Sequence, residues 1–121
     1  MTEGEILART CAAAAEDKKA EDIVVLDMRG ISTFTDFFLI CSANSEPQLK
    51  AIASSIREHT RETLNRKTIS SDGLPTCQWI VLDFGEVIVH VFHAEKREFY
   101  GLENLWSDAT KLDLSLEIPK A

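Results

Sequence analysis

The sequence predicts a mixed α/β domain, a sheet of about five strands with helices packed against it. Three observations predict it. Ile23-Val24-Val25-Leu26 and Phe37-Phe38-Leu39-Ile40-Cys41 are short, wholly apolar runs rich in β-branched and aromatic residues, the pattern of strands buried on both faces. Between Ser45 and Leu64, apolar residues recur at helical spacing. Trp79-Ile80-Val81-Leu82 and Val87-Ile88-Val89-His90-Val91-Phe92 are separated only by Asp83-Phe84-Gly85-Glu86, short enough for an antiparallel hairpin in which Gly85 supplies the positive φ such turns demand.

Taken from the N-terminus, Thr2 and Glu5 stand in the relation of a capping box, and Ile6, Leu7, Cys11, Ala14 and Ala15 follow at helical spacing. That helix runs to Asp17-Lys18-Lys19, where lysines suit the partial negative charge of a helix C-terminus. The strand over 23–26 is closed by Asp27 and Gly30, and the strand over 37–41 follows. Ser45 and Gln48 repeat the capping signature, with Pro47 in the first turn, where its missing N–H costs nothing. Leu49, Ile52, Ala53, Ile56, Thr60, Thr63 and Leu64 form the buried face of this second helix; Lys50, Arg57, Glu58, Arg61 and Glu62 form its polar face. It ends near Asn65-Arg66-Lys67, before a short edge strand over 68–70 and a turn marked by Asp72-Gly73 and Pro75. After the hairpin, 95–100 reads as a short helix and 102–106 as another turn or two. Because a helix separates the second strand from the hairpin, those strands can pair in parallel, which makes the sheet mixed. A single domain is expected over 1–109, with a mobile tail over 110–121 where periodicity is lost.

Composition bounds the function. The chain has 121 residues, 45% of them hydrophobic, with 13 basic and 20 acidic side chains for a net charge of −7. Such a composition excludes a disordered chain, a collagen and a coiled-coil rod. No apolar run approaches the roughly 18 residues of a membrane span, and an acidic N-terminus with no apolar segment behind it is unlike a secretory leader. A cytoplasmic chain is therefore expected. Cys11, Cys41 and Cys77 are odd in number and lack CxxC spacing, which suits buried thiols in a reducing compartment rather than disulfides or zinc. Affinity for phosphate backbones comes from Lys and Arg, so a net negative chain is not expected to bind nucleic acid directly; the same charge leaves a basic protein surface open as a target, although solvated charge that serves solubility is its commoner origin.

Candidate catalytic chemistry fails on context. Asp83-Phe84-Gly85 spells the magnesium-binding tripeptide of protein kinases, but the chain is too short for the glycine-rich loop, strand lysine and catalytic loop that must accompany it. His90 and His93, three apart on a strand, point to opposite faces and cannot converge on one metal ion; His90 is expected buried and hydrogen-bonded, and His59 on the surface. Asp27, Asp36 and Asp83 fall at strand ends, where carboxylates can gather around magnesium, but none has a second acid two residues away on its own strand face. The segment 42–45 leads into a helix N-terminus without the glycines of a phosphate loop, so Ser45 is read as a cap. No catalytic, cofactor-binding or metal-binding residue is assigned.

What remains is surface chemistry. Phe84 is expected at a turn tip, Trp79 begins a strand, and Lys96, Arg97, Tyr100, Glu103 and Trp106 set aromatics and charges side by side after the hairpin. Phe99 and Leu105 are assigned to covering the sheet. Trp79, Asp83, Phe84, Lys96, Arg97, Tyr100, Glu103 and Trp106 are the candidate partner-binding residues.

The run Trp79 to Phe92, read as W-x-x-x-D-x-G-[DE]-V-x-V-H-V-F, resembles the Iojap family of ribosomal silencing factors, RsfS. So do Phe99-Tyr100 followed by Leu102-Glu103-Asn104-Leu105-Trp106, the segment Asp36-Phe37-Phe38-Leu39-Ile40-Cys41, and Ser45, Gln48 and Ala51-Ile52-Ala53. The similarity covers about residues 4–109. It departs at Ala43 and at Glu46-Pro47, where relatives commonly carry a glycine and an arginine, and at Glu86, where Asp is commoner.

The resemblance implies a mixed-sheet α/β fold shaped like a nucleotidyltransferase without its catalytic residues, and a homodimer when free. It implies binding to the fourteenth protein of the large ribosomal subunit at the face where the small subunit docks. Occupying that face blocks subunit joining and represses translation when nutrients are short, with no cofactor and no turnover. The competing expectation is a small nucleotidyltransferase or nucleotide-binding enzyme on the same fold.

Overall fold

The structure is a computed structural model describing residues 1–73, 78–101 and 107–114, with backbone only at 72–73 and 98–100. Helix α1 (Glu3–Asp17) precedes strands β1 (Glu21–Asp27) and β2 (Phe37–Ala43), then helix α2 (Glu46–Leu64), strands β3 (Ser70–Gly73), β4 (Trp79–Asp83) and β5 (Val87–His93), helix α3 (Ala94–Tyr100) and strand β6 (Thr110–Lys111). The strands form one six-stranded sheet in the order β3-β4-β5-β2-β1-β6. The β2–β5 pair is parallel and the others are antiparallel, so the sheet is mixed as the helix between β2 and the hairpin requires.

Local chemistry sets the helix ends. The Thr2 hydroxyl accepts from the Glu5 amide at 3.1 Å and opens α1. Ser45 accepts from the Gln48 amide at 3.3 Å and opens α2, while Gln48 Oε1 accepts from the Asn44 amide at 3.0 Å. Gln48 Nε2 also donates to the Lys19 carbonyl at 3.1 Å, so the cap of α2 is tied to the end of α1. Asn65 closes α2 in the left-handed region at φ +53°, one of the few non-glycine residues to visit it readily. At the interrupted family positions, Ala43 is buried at the end of β2, Glu46 pairs with Lys50 at 3.4 Å, and Pro47 sits in the first turn.

The sheet has an inner and an outer face. On the inner face Val25, Phe37, Leu39, Cys41, Leu82, Val89 and Val91 pack against Leu7 and Cys11 of α1 and Ile52 and Ile56 of α2, all of them buried. Each such side chain contributes about 1.5–3 kcal/mol by leaving water. Leu26, Met28, Phe38, Ile40 and Phe92 form a second cluster on the outer face. Cys11 and Cys41 are free and buried, and burial pushes both thiols up, Cys41 to about 12, so neither is a nucleophile. Cys77 and Pro75 lie outside the described residues.

Two edges differ from the sequence expectation. β3 extends through Asp72 and Gly73, expected as a turn, because these pair with Val81 and Ile80 of β4. Thr110 and Lys111, within the segment expected to be a mobile tail, pair with Asp27 and Leu26 of β1. Leu112 donates its amide to the Val25 carbonyl at 2.9 Å, and Arg9 donates to the Asp113 carbonyl at 2.7 Å. No described helix is long and apolar enough to cross a membrane.

Candidate interaction surface

Strand register assembles the outer face in rows. Trp79 lies opposite Phe92, which lies opposite Ser42; Val81 lies opposite His90, which lies opposite Ile40; Asp83 lies opposite Ile88, which lies opposite Phe38. Side chains alternate along a strand, so every one of these points away from α1 and α2. Trp79 stacks on Phe92, with ring centroids 5.0 Å apart at 26°, and its indole N–H donates to Nδ1 of His90 at 3.2 Å. Phe38 meets the His90 ring edge-on at 5.0 Å and 83°.

His90 is 7% exposed, as the sequence places it, and burial pushes its pKa down to about 4. With Nδ1 accepting, the ring proton sits on Nε2, which is buried with no hydrogen-bond partner among the described residues. His93 does not join it: Nδ1 of His93 accepts from the Glu95 amide at 3.3 Å and caps α3.

The hairpin turn accounts for Asp83 and Phe84. Asp83 Oδ1 accepts from the Gly85 amide at 2.7 Å, and Gly85 adopts φ +93°, as the turn requires. Phe84 is 1% exposed and is not a surface anchor. The alternation that turns Trp79, Val81 and Asp83 outward turns Ile80, Leu82 and Phe84 inward, so Phe84 joins the core under the helices. Arg66, just beyond α2, clamps the turn: it donates to the Phe84 carbonyl at 3.0 Å and forms a two-pronged ion pair with Glu86. That pairing holds the Glu86 carboxyl below its usual range. The Glu86 carbonyl accepts from the amides of Asp36 and Phe37, which joins the turn to the start of β2.

α3 flanks the rings. Arg97 donates to Ser42 Oγ at 3.2 Å and to the Glu21 carbonyl at 3.4 Å, which places its guanidinium at the end of the Trp79–Phe92–Ser42 row. Lys96 is half-buried on the same helix. Gly101 ends α3 at φ +61°. The side chain of Tyr100, and Glu103 and Trp106 entirely, lie outside the described residues; of the rest of the expected set, Trp79 sits in the ring cluster with Arg97 at the end of its row and Lys96 on the same helix as Arg97, while Asp83 lies at the other end of β4 in the hairpin turn. The structure adds Phe34, 63% exposed and tilted against Phe38 at 6.3 Å between centroids, which sequence reasoning missed although an aromatic between Gly30 and Asp36 was the signal.

Carboxylates do not gather. Asp27 is paired with Arg29 at 2.7 Å, which holds its carboxyl below the usual range, and Asp83 serves the turn. Among the described residues no group of three or more His, Cys, Asp or Glu side chains is placed to hold a metal ion.

Fold and surface together define a small mixed-sheet α/β domain whose outer face is built from stacked rings beside a short helix that carries Lys96 and Arg97. The family model described as "Ribosomal silencing factor during starvation" matches residues 2–121. A ribosomal silencing factor RsfS of Bacillus subtilis is 45% identical over 106 residues, covering 88% of this chain and 89% of the relative. The chloroplastic protein Iojap of Zea mays is 40% identical over 106 residues, which is 46% of its length. A crystal structure from Bacillus halodurans superposes with a TM-score of 0.78 at 39% identity, covering 90% of this chain and 98% of that one. One from Chromobacterium violaceum gives 0.83 at 27% identity over 96% and 95%. The chain belongs to the RsfS family of ribosomal silencing factors.

Proposed function

We propose that this protein silences ribosomes by occupancy. It seats on the fourteenth protein of the large ribosomal subunit, at the face where the small subunit docks, and holds the subunits apart, so that translation is repressed when nutrients are short. The observation that carries this reading is the outer-face ring cluster: Trp79, locked by Phe92 and His90, is half-exposed and cannot rearrange cheaply, the property of an interface anchor. An excess of 20 acidic over 13 basic side chains complements a basic ribosomal protein. The contact set is Trp79, Asp83, Lys96, Arg97, Tyr100, Glu103 and Trp106, with Phe84 supporting the turn from inside. The protein needs no turnover or cofactor, works in the cytoplasm and is a homodimer when free.

Sedimentation of purified ribosomal subunits with increasing amounts of the protein tests this. Joined particles should decline while the protein travels with the large subunit. Joined particles forming as readily at saturating protein and low salt would overturn the proposal.

A further inference from the structure

On the far side of α2 from the ring cluster, a groove of about 490 Å³ is lined by Ser54, Arg57, Glu58, Arg61, Lys67 and Thr68. Its charge runs against that of the molecule. The chain carries −7 overall, whereas this groove sets three cations against one carboxylate.

Arg9, Arg29, Lys50 and Arg66 each pair with a carboxylate, but the side chains of Arg57, Arg61 and Lys67 make no ion pair or hydrogen bond among the described residues. Arg57 and Arg61 are four apart on one helix face, an arrangement of like charges that costs a helix a few tenths of a kcal/mol. Local stability does not favour it. The left-handed turn at Asn65 then carries the chain back so that Lys67 and Thr68 form the opposite wall.

We infer that this groove is a second docking surface, for the phosphate backbone of ribosomal RNA; the inference rests on ribosome binding as proposed above. The groove is open and its cations are exposed, which suits a polyanion that gains affinity by shedding counterions rather than a small phosphate needing enclosure. Arg57 and Arg61 are offset by about 6 Å along the helix axis, so each reaches a separate phosphate of one strand. Ser54 and Thr68 add hydroxyl donors beside them. Since α2 packs on the inner face of the sheet, the rings and the groove lie on opposite sides and engage different components of the subunit at once. The net charge, which argues against nucleic acid for the molecule as a whole, averages over this local reversal.

The test uses the full chain, purified large subunits and about 50 to 200 mM salt. The variant Arg57→Gln/Arg61→Gln/Lys67→Gln should bind about tenfold or more weakly at the low-salt end, and its dependence of log affinity on log salt should be shallower by about 2. Glu58→Gln should bind more tightly than the parent. Trp79→Ala should weaken binding with the salt slope unchanged, which separates the groove from the ring face. An unchanged melting temperature for the triple variant excludes misfolding, because only exposed side chains change. A fluorescein-labelled RNA hairpin, with poly-glutamate as competitor, reads the groove even where the parent ignores ribosomes, an outcome that sinks the silencing proposal instead. Unchanged affinity and slope in the triple variant, or poly-glutamate displacing the hairpin at equal charge, would overturn the inference, the latter in favour of an acidic protein segment.

Discussion

The indole N–H of Trp79 donates to Nδ1 of His90 across 3.2 Å, and this bond requires the histidine to be neutral. Burial enforces the same state, with a folded pKa near 4 against an ordinary value of 6.5. As pH falls below 6.5 the unfolded chain takes up a proton that the folded chain refuses until about pH 4. Stability is therefore full above that upper value and declines across the window, by about 3 kcal/mol in all. Urea melts at several pH values from about 7.5 down to 5 should show the decline, and His90→Phe should flatten it. Glu86 and Asp27, whose pKa values are lowered by their arginines, lose their contributions only at more acidic pH. A parent as stable at pH 5 as at pH 7 would contradict the assignment.

Trp79→Ala removes both the stack on Phe92 and the donor to His90, and should weaken binding to large subunits by about 2 kcal/mol. Trp79→Phe keeps a ring but leaves Nδ1 unpaired, so its main effect should be a loss of about 1–2 kcal/mol of stability. Affinity and melts measured on both variants check this; equal affinity of parent and Trp79→Ala would move the interface off the outer face.

Phe84→Ala should behave as a core deletion, losing about 3–4 kcal/mol of folding stability because the ring is fully enclosed beneath the helices. Once corrected for the folded fraction, its affinity for large subunits should match the parent. A stable variant with weakened binding would return Phe84 to the contact set.

Gly85→Ala places a Cβ on a backbone at φ +93° and within 3.2 Å of Ile69 Cδ1. The expected cost is about 1–2 kcal/mol. Denaturant melts check it, and a neutral substitution would mean that the turn relaxes to another conformation.

Much of this architecture is legible in the residues themselves. Thr2 and Ser45 cap the helices they announce, and Gly85 takes the positive φ its place between two strands demands. The edges are less legible for a physical reason. Ser70, Ser71, Asp72 and Gly73 have poor strand propensity, and Thr110 with Lys111 is too short to show alternation, so both strands exist only because a neighbour offers free backbone groups. Phe84 is not legible as core because its place in a hairpin turn predicts exposure, whereas strand alternation continues through Asp83 and aims the next residue inward. Trp79 could be singled out from its composition, but its union with His90, Phe92 and Phe38 depends on the register of β4, β5 and β2. The Arg66–Glu86 clamp joins segments that carry no mutual sequence signal.

The parallel pairing of β2 with β5 has an outcome for how the molecule is made. His90 and Ile40 become neighbours only after the whole of α2, β3 and β4 has been laid down between them, so the ring face is among the last parts of the chain to be completed. A nascent or clipped polypeptide that lacks either strand cannot display it. The surface thus certifies a finished molecule, and an excised hairpin peptide carrying Trp79 and His90 would be a poor mimic of the intact protein.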